Sequence, residues 1–393
     1  MNSNKPSDLK NEHALDGVNV LDLSEGIAGP FAARLLGDFG ADVIKIEKCD
    51  GGDPQRYIGP LVKKAREGEQ SLLFQYLNWN KRSISLDLSD SSKLNIFKAL
   101  LERSNIVIES FIPGQLNEWG IGVEKLLEWN PKLVVVSITN FGQTGPYAKF
   151  KANDLILQAM SGMMQISGSV DREPLRQGLS QTYYCAGLNA AYAALAAYLS
   201  AERDGVGEHV DVSILECLAS ELVYNQPFYT FLGAIQGRRA SVQDPFDGEP
   251  IPARKGYVSV QAGGGAPFYK FADLLNLPEL SDPKYSTPKL RTTRSAELHK
   301  MLATRFSEMD PHVIFEEAAK NRLLMGVVQS AKDLLGCPHL ESRDFYTNIE
   351  HPETGEFRFP AELAKLSRSK TRINSRAPMF NEHEQEILQL IGL

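Results

Sequence analysis

The sequence predicts an α/β fold: a large lobe on an open, mostly parallel sheet with Rossmann-like winding, and a smaller α/β lobe inserted after it. Three observations predict it. Between residues 18 and 142, short apolar runs rich in Val and Ile alternate with stretches of helical spacing, as in parallel strands joined by helices. Turns containing Gly and Pro separate many of these runs. At 393 residues the chain exceeds one ordinary domain, so two cores are expected.

The elements follow in order. The first fifteen or so residues are polar and read as a loose arm. VNVLDLS (18–24) is a strand, EGIAGP (25–30) a turn, FAARLLGDFG (31–40) a helix and ADVIKIEK (41–48) a second strand. KRSISLDL (81–88), NIVIESF (105–111) and PKLVVVSITNFG (131–142) read as further strands, with helices at 91–104 and 121–130. From 153 to about 230 the composition turns helical, rich in Ala, Leu and Met. The polar, Gly- and Pro-punctuated stretch 236–256 reads as a linker into the second lobe. There GYVSVQAG (256–263) is a strand, followed by helices at 268–276 and 294–306. A return strand at 325–330 and a helix at 382–392 are expected to rejoin the first lobe.

Composition excludes several classes. Hydrophobic residues make up 42% and charged residues 23%, the balance of an ordinary soluble protein. A formal net charge of −7 gives no footing for nucleic acid, so an anionic ligand would need a local basic pocket. No apolar run is long enough to span a bilayer, AGLNAAYAALAAYL (186–199) being the longest, and no h-region marks a signal peptide. Cys49, Cys185, Cys217 and Cys337 lack metal or CxxC spacing and read as reduced, mostly buried thiols of a cytoplasmic protein.

The local motifs leave alternatives open. The turn at 25–30 is either ordinary strand–helix punctuation or a phosphate cradle. The GGG run at 263–265 is either a tight surface turn or a lid that lets backbone approach a ligand. The seven histidines stand where surface or capping roles suffice. No GxSxG elbow or cysteine context supports a Ser–His–Asp or Cys–His enzyme. Trp79, Trp119, Tyr183, Tyr184 and Phe228 are compatible with a pocket for an aromatic substrate, although aromatics at such positions more often build cores.

Taken together, LDGVNVLDLSEGIAGPFAARLLGDFGADVIKIEKCDGGDPQR, LNWNKRSISLDL, ESFIPGQLNEWGI and VSITNFGQTGPYAKFKANDLILQAMSGMM resemble, in order, the signatures of class III CoA-transferases. This is the CaiB/BaiF family of formyl-CoA transferase and its relatives. The resemblance implies a large domain made of both chain ends (1–225 and 326–393) with a smaller domain inserted at 226–325, two chains interlocked like links, and a CoA thioester bound on the large domain as substrate, with no resident cofactor. It assigns CoA contacts to Ile27, Lys48, Leu86, Ser110, Phe111 and Lys151, and an assisting role to Asp154.

The family chemistry needs an aspartate four residues before the glycine that opens an Ala-rich helix. It attacks the thioester and carries CoA through covalent intermediates. Here that glycine is Gly187 and the position four back is Tyr183, and QGLSQTYYCAG (177–187) contains no Asp or Glu. A phenol, with a reference pKa of about 10, stays protonated at neutral pH and is no evident substitute. Ile112 and Glu118 also stand where relatives often carry basic residues, which weakens the phosphate site. Asn153 replaces the histidine of the racemase branch. The leading expectation is a non-catalytic subunit paired with an Asp-bearing homologue, as in succinyl-CoA:benzylsuccinate CoA-transferases. The alternatives are an active homodimer using Tyr183 or Asp154, and a CoA-thioester-binding protein without turnover.

Overall fold

The computed structural model describes residues 12–62, 70–240, 242–263, 267–352, 354–361, 363–371, 373 and 375–393. Gly264 and Gly265 of the GGG run, and most of the N-terminal arm, lie outside them. The chain forms two compact units. The first comprises 1–165, 175–236 and 344–393, and the second 166–174 and 237–343.

In the first unit, strands β1 (Asn19–Asp22), β2 (Asp42–Glu47), β3 (Lys81–Ser85), β4 (Ile106–Glu109), β5 (Val134–Thr139) and β6 (Glu208–Ser213) form one parallel sheet. Its order is β3-β2-β1-β4-β5-β6. Helices α1 (Ala28–Asp38), α2 (Leu72–Asn78), α3 (Leu94–Leu101), α4 (Val123–Trp129), α5 (Asp154–Met160), α6 (Gln181–Asp204), α7 (Ile214–Ser220) and α8 (Asn225–Leu232) accompany it. A parallel sheet covered on both faces must bury both sides of each central strand, which is why β2, β4 and β5 read as nearly continuous apolar runs. Val134, Val136 and Ile138 point into a core shared with α1 and α6, and Val135 into the opposite core with α3 and α4.

The strand β6 corrects the helical reading of 153–230. EHVDVS pairs in register with β5, Val134 opposite Glu208 through Thr139 opposite Ser213. It lies at the sheet edge, where Glu208, His209 and Asp211 stay exposed, so its polar side masked the strand pattern. Helix α6 runs 24 residues against α1. Gly187 lets the two helices touch: a Cβ there would stand 2.7 Å from the Ala28 carbonyl oxygen and 2.9 Å from Phe31. No helix among the described residues is long and apolar enough to cross a membrane.

The second unit holds an antiparallel sheet of β7 (Asp247–Pro252), β8 (Tyr257–Gln261) and, after its helices, β9 (Leu324–Val327), in the order β9-β8-β7. Helices α9 (Tyr269–Leu275), α10 (Ser295–Ser307) and α11 (Pro311–Lys320) pack Phe271, Leu298, Leu302, Phe306 and Ile314 against Val258 and Val260. Two expectations change here. Part of the 236–256 linker is the strand β7, whose Pro250 and Pro252 are tolerated because it is an edge strand. The strand at 324–327 pairs with β8 of this unit, not with the large sheet. The chain then closes the first unit with the hairpin β10 (Tyr346–His351) and β11 (Gly355–Pro360) and helix α12 (Glu384–Leu390). Ile387 of α12 packs in the core beside α3 and α4.

Candidate functional site

The order of the large sheet reverses between β1 and β4, and in such sheets ligands bind in the crevice outside the carboxyl ends of the strands. Two adjoining pockets lie there. The first, about 350 Å³, is lined by Glu25, Lys48, Asp50, Leu86, Phe111 and Trp119 among others. The second, about 490 Å³, includes Ile27, Ser110, Phe111, Lys149, Lys151 and Tyr183. Glu25 and Phe111 border both.

The groove is held by a buried charge network. Asp22, at the end of β1, accepts from Lys81 Nζ at 2.8 Å, lies 3.7 Å from Lys45 Nζ and bonds the hydroxyl of Ser24. Lys45 also reaches Asp53 at 2.9 Å and donates to the Ser24 carbonyl at 2.8 Å, while Lys81 donates to the Pro30 carbonyl at 2.8 Å. Two lysines thereby fix both ends of the 24–30 turn. Burial alone would raise Asp22, but Lys45 and Lys81 outweigh it and hold the carboxyl below its ordinary value. Burial, opposed by Asp22 and aided by Lys45, brings the Lys81 amine down to about 8. At Gly29 a Cβ would collide with the Ser24 side chain, so the helix start can approach the strand end only with glycine there.

The residues singled out from sequence divide as follows. Ile27, Lys48, Leu86, Ser110, Phe111 and Lys151 all line the crevice. Leu86 is buried, and the Ser110 hydroxyl accepts from the Glu25 backbone N–H at 3.0 Å. Lys48 is half exposed and ion-paired to Glu25 at 2.8 Å. Ile112 is exposed in the second pocket, and Glu118 is exposed on the helical turn that precedes Trp119.

Tyr183 lies in the first turn of α6, partly buried in the second pocket. Asp154 opens α5, and its backbone N–H reaches the Tyr183 oxygen. Burial, and then the Asp154 charge, push the phenol above its ordinary value. It therefore stays protonated at neutral pH. Asp154 is buried. Its Oδ2 accepts from Gln158 at 2.9 Å, while its Oδ1 has no hydrogen-bond partner among the described residues.

Other expectations are corrected. Trp79 is a core residue, fully buried with the Arg34 guanidinium 3.8 Å from its ring centre and its Nε1 donating to Asp38 at 2.6 Å. Tyr184 packs edge-on against Phe31, and Phe228 is exposed on α8. Of the cysteines only Cys217 is buried. Cys49 is exposed, Cys337 is partly exposed, and Cys185, also partly exposed, donates to Glu221 with its thiol pushed up to about 12 by burial. His351 is buried rather than on the surface, and burial brings it down to about 4. Sequence reasoning passed over Glu109 and Ser137, and gave His209, which is exposed, a surface role. Their strands β4, β5 and β6 are neighbours in the sheet, and Ser137 Oγ lies 2.9 Å from His209 Nε2. The buried serine bridges the other two by hydrogen bonds.

The profile of CoA-transferase family III matches residues 15–384, so the chain belongs to that family of enzymes, whose substrates are acyl-CoA thioesters. The succinyl-CoA–D-citramalate CoA-transferase of Chloroflexus aurantiacus is 33% identical over 386 residues, covering 96% of this chain and 94% of that protein. The succinyl-CoA–L-malate CoA-transferase beta subunit of the same organism is 28% identical over 389 residues, covering 96% and 94%. The crystal structure of a CaiB/BaiF family protein from Brucella suis superposes with a TM-score of 0.88 at 28% identity, over 97% of this chain and all of that one.

Proposed function

We propose that this chain is the non-catalytic subunit of a heteromeric CoA-transferase that moves CoA from succinyl-CoA to a carboxylic acid of the benzylsuccinate type. The observation that carries the reading is Tyr183. The helix opening where the family's chemistry requires a carboxylate presents a partly buried phenol with raised pKa, and 177–187 holds no acid. A protonated phenol neither attacks a thioester readily nor forms the acyl anhydride that a carboxylate forms.

The names of the relatives favour succinyl-CoA as donor, and one of them is named as a beta subunit. The surface favours a partner chain. Helix α8 buries none of its residues, and Tyr224 and Phe231 at its ends are 80% and 85% exposed. Apolar surface of that extent calls for a covering protein. On this reading the CoA contacts would come from Ile27, Lys48, Leu86, Ser110, Phe111 and Lys151, with Asp154 buttressing Tyr183.

A second reading has one observation in its favour. Asp154 Oδ1, beside Tyr183 and without a hydrogen-bond partner among the described residues, is a buried carboxylate oxygen of the kind that an active homodimer could use as a nucleophile. The test is CoA transfer from succinyl-CoA to benzylsuccinate by this chain alone and after co-expression with an Asp-bearing homologue. Transfer only by the pair, abolished when the partner's aspartate becomes alanine, supports the subunit reading. Turnover by the chain alone, lost in Asp154→Asn, establishes the second reading instead.

A further inference from the structure

The crevice at the sheet reversal is divided in charge. Its side over β2 and β3 is lined by the acids Glu25, Asp50 and Asp87, whereas its side over β5 carries Lys149 and Lys151. Among the described residues of the acidic side, Lys48 is the one lysine with its amine in solvent, since Lys45 is sealed below and bound to Asp53. That amine is already engaged. Its Nζ stands 2.8 Å from Glu25 Oε1, with the Lys48 side chain 50% and the Glu25 side chain 30% exposed. Glu25 borders both pockets, and its backbone is anchored by the bond between its N–H and Ser110 Oγ.

We propose that Glu25 is a specificity-determining residue: a built-in carboxylate that competes with ligand phosphate for Lys48 and so sets a low affinity of this chain for phosphate-bearing ligands. The inference rests on the reading of the crevice as a CoA site. A phosphate approaching Lys48 must displace Glu25 and then sit beside a carboxylate that has lost its partner, with Asp50 and Asp87 near. The local sign of the site is thus reversed without loss of the lysine. A free anionic ligand is held on this side only as firmly as it outcompetes an intramolecular acid.

The test is isothermal titration of the full-length chain with CoA, comparing wild type, Glu25→Gln, Glu25→Ala and the double variant Glu25→Gln/Lys48→Gln. The expected result is about five- to tenfold tighter CoA binding in both single variants. That gain should vanish in the double variant and shrink as ionic strength rises. Measurable CoA binding by wild type that is unchanged or weaker in both single variants overturns the role of Glu25 and leaves the crevice as the CoA site. Absence of CoA binding in wild type and single variants alike overturns both.

Discussion

Replacing Glu109 by Gln tests the electrostatics of the sheet beside the crevice. Glu109 ends β4, is 3% exposed, and accepts from the Phe111 backbone N–H at 2.7 Å. It also shares a hydrogen bond with Ser137. Burial dominates these bonds and raises its carboxyl from 4.5 to about 7. Between those values the folded state holds a proton that the unfolded state has released, so stability falls as pH rises through the window. Above pH 7 both states are ionised, and burying the charge costs the fold about 3 kcal/mol. Gln keeps a carbonyl for Phe111 and polar contact with Ser137 but carries no charge. Urea unfolding followed by tryptophan fluorescence should find Glu109→Gln more stable than wild type by up to about 3 kcal/mol at pH 8. The difference should shrink to under about 1 kcal/mol at pH 5. Identical pH dependence in the two proteins, or a variant less stable at pH 8, would refute the argument.

Two further substitutions probe the scaffold. Asp22→Asn leaves Lys45 and Lys81 buried without their shared anion, and should cost about 3–5 kcal/mol in the same unfolding assay. A loss below about 1 kcal/mol would show that the network does not hold the 24–30 turn. Gly187→Ala drives a methyl against the Ala28 carbonyl and Phe31, and should cost about 1–3 kcal/mol by forcing α1 and α6 apart. Unchanged stability would mean that the helices separate freely.

The α/β lobe was legible in the sequence because its strands are buried on both faces and read as apolar runs of Val and Ile. The crevice was legible through its Gly turn and the family signatures, which led to Ile27, Leu86, Ser110 and Phe111. Other features were hidden for identifiable reasons. The strand β6 is an edge strand with one polar side, so its alternation was lost beside the long Ala-rich α6. The strand β7 was masked by prolines that only an edge position tolerates. Lys45 and Lys81 each sit inside a strand, yet nothing local says that both close on Asp22, which is distant in sequence. Glu25 was read as part of a turn, and only the fold brings its carboxylate to Lys48. Trp79 drew a pocket reading because aromatic residue type alone does not distinguish a ligand face from a core packed around Arg34.

On the proposed subunit reading, this chain carries no catalytic carboxylate of its own. Intact-mass spectrometry of this chain co-expressed with an Asp-bearing homologue, after incubation with succinyl-CoA and with the two chains resolved, tests this directly. A covalent acyl or CoA increment on the Asp-bearing chain and an unmodified mass for this one are expected. An increment on this chain, mapped to Tyr183 or Asp154, would contradict it.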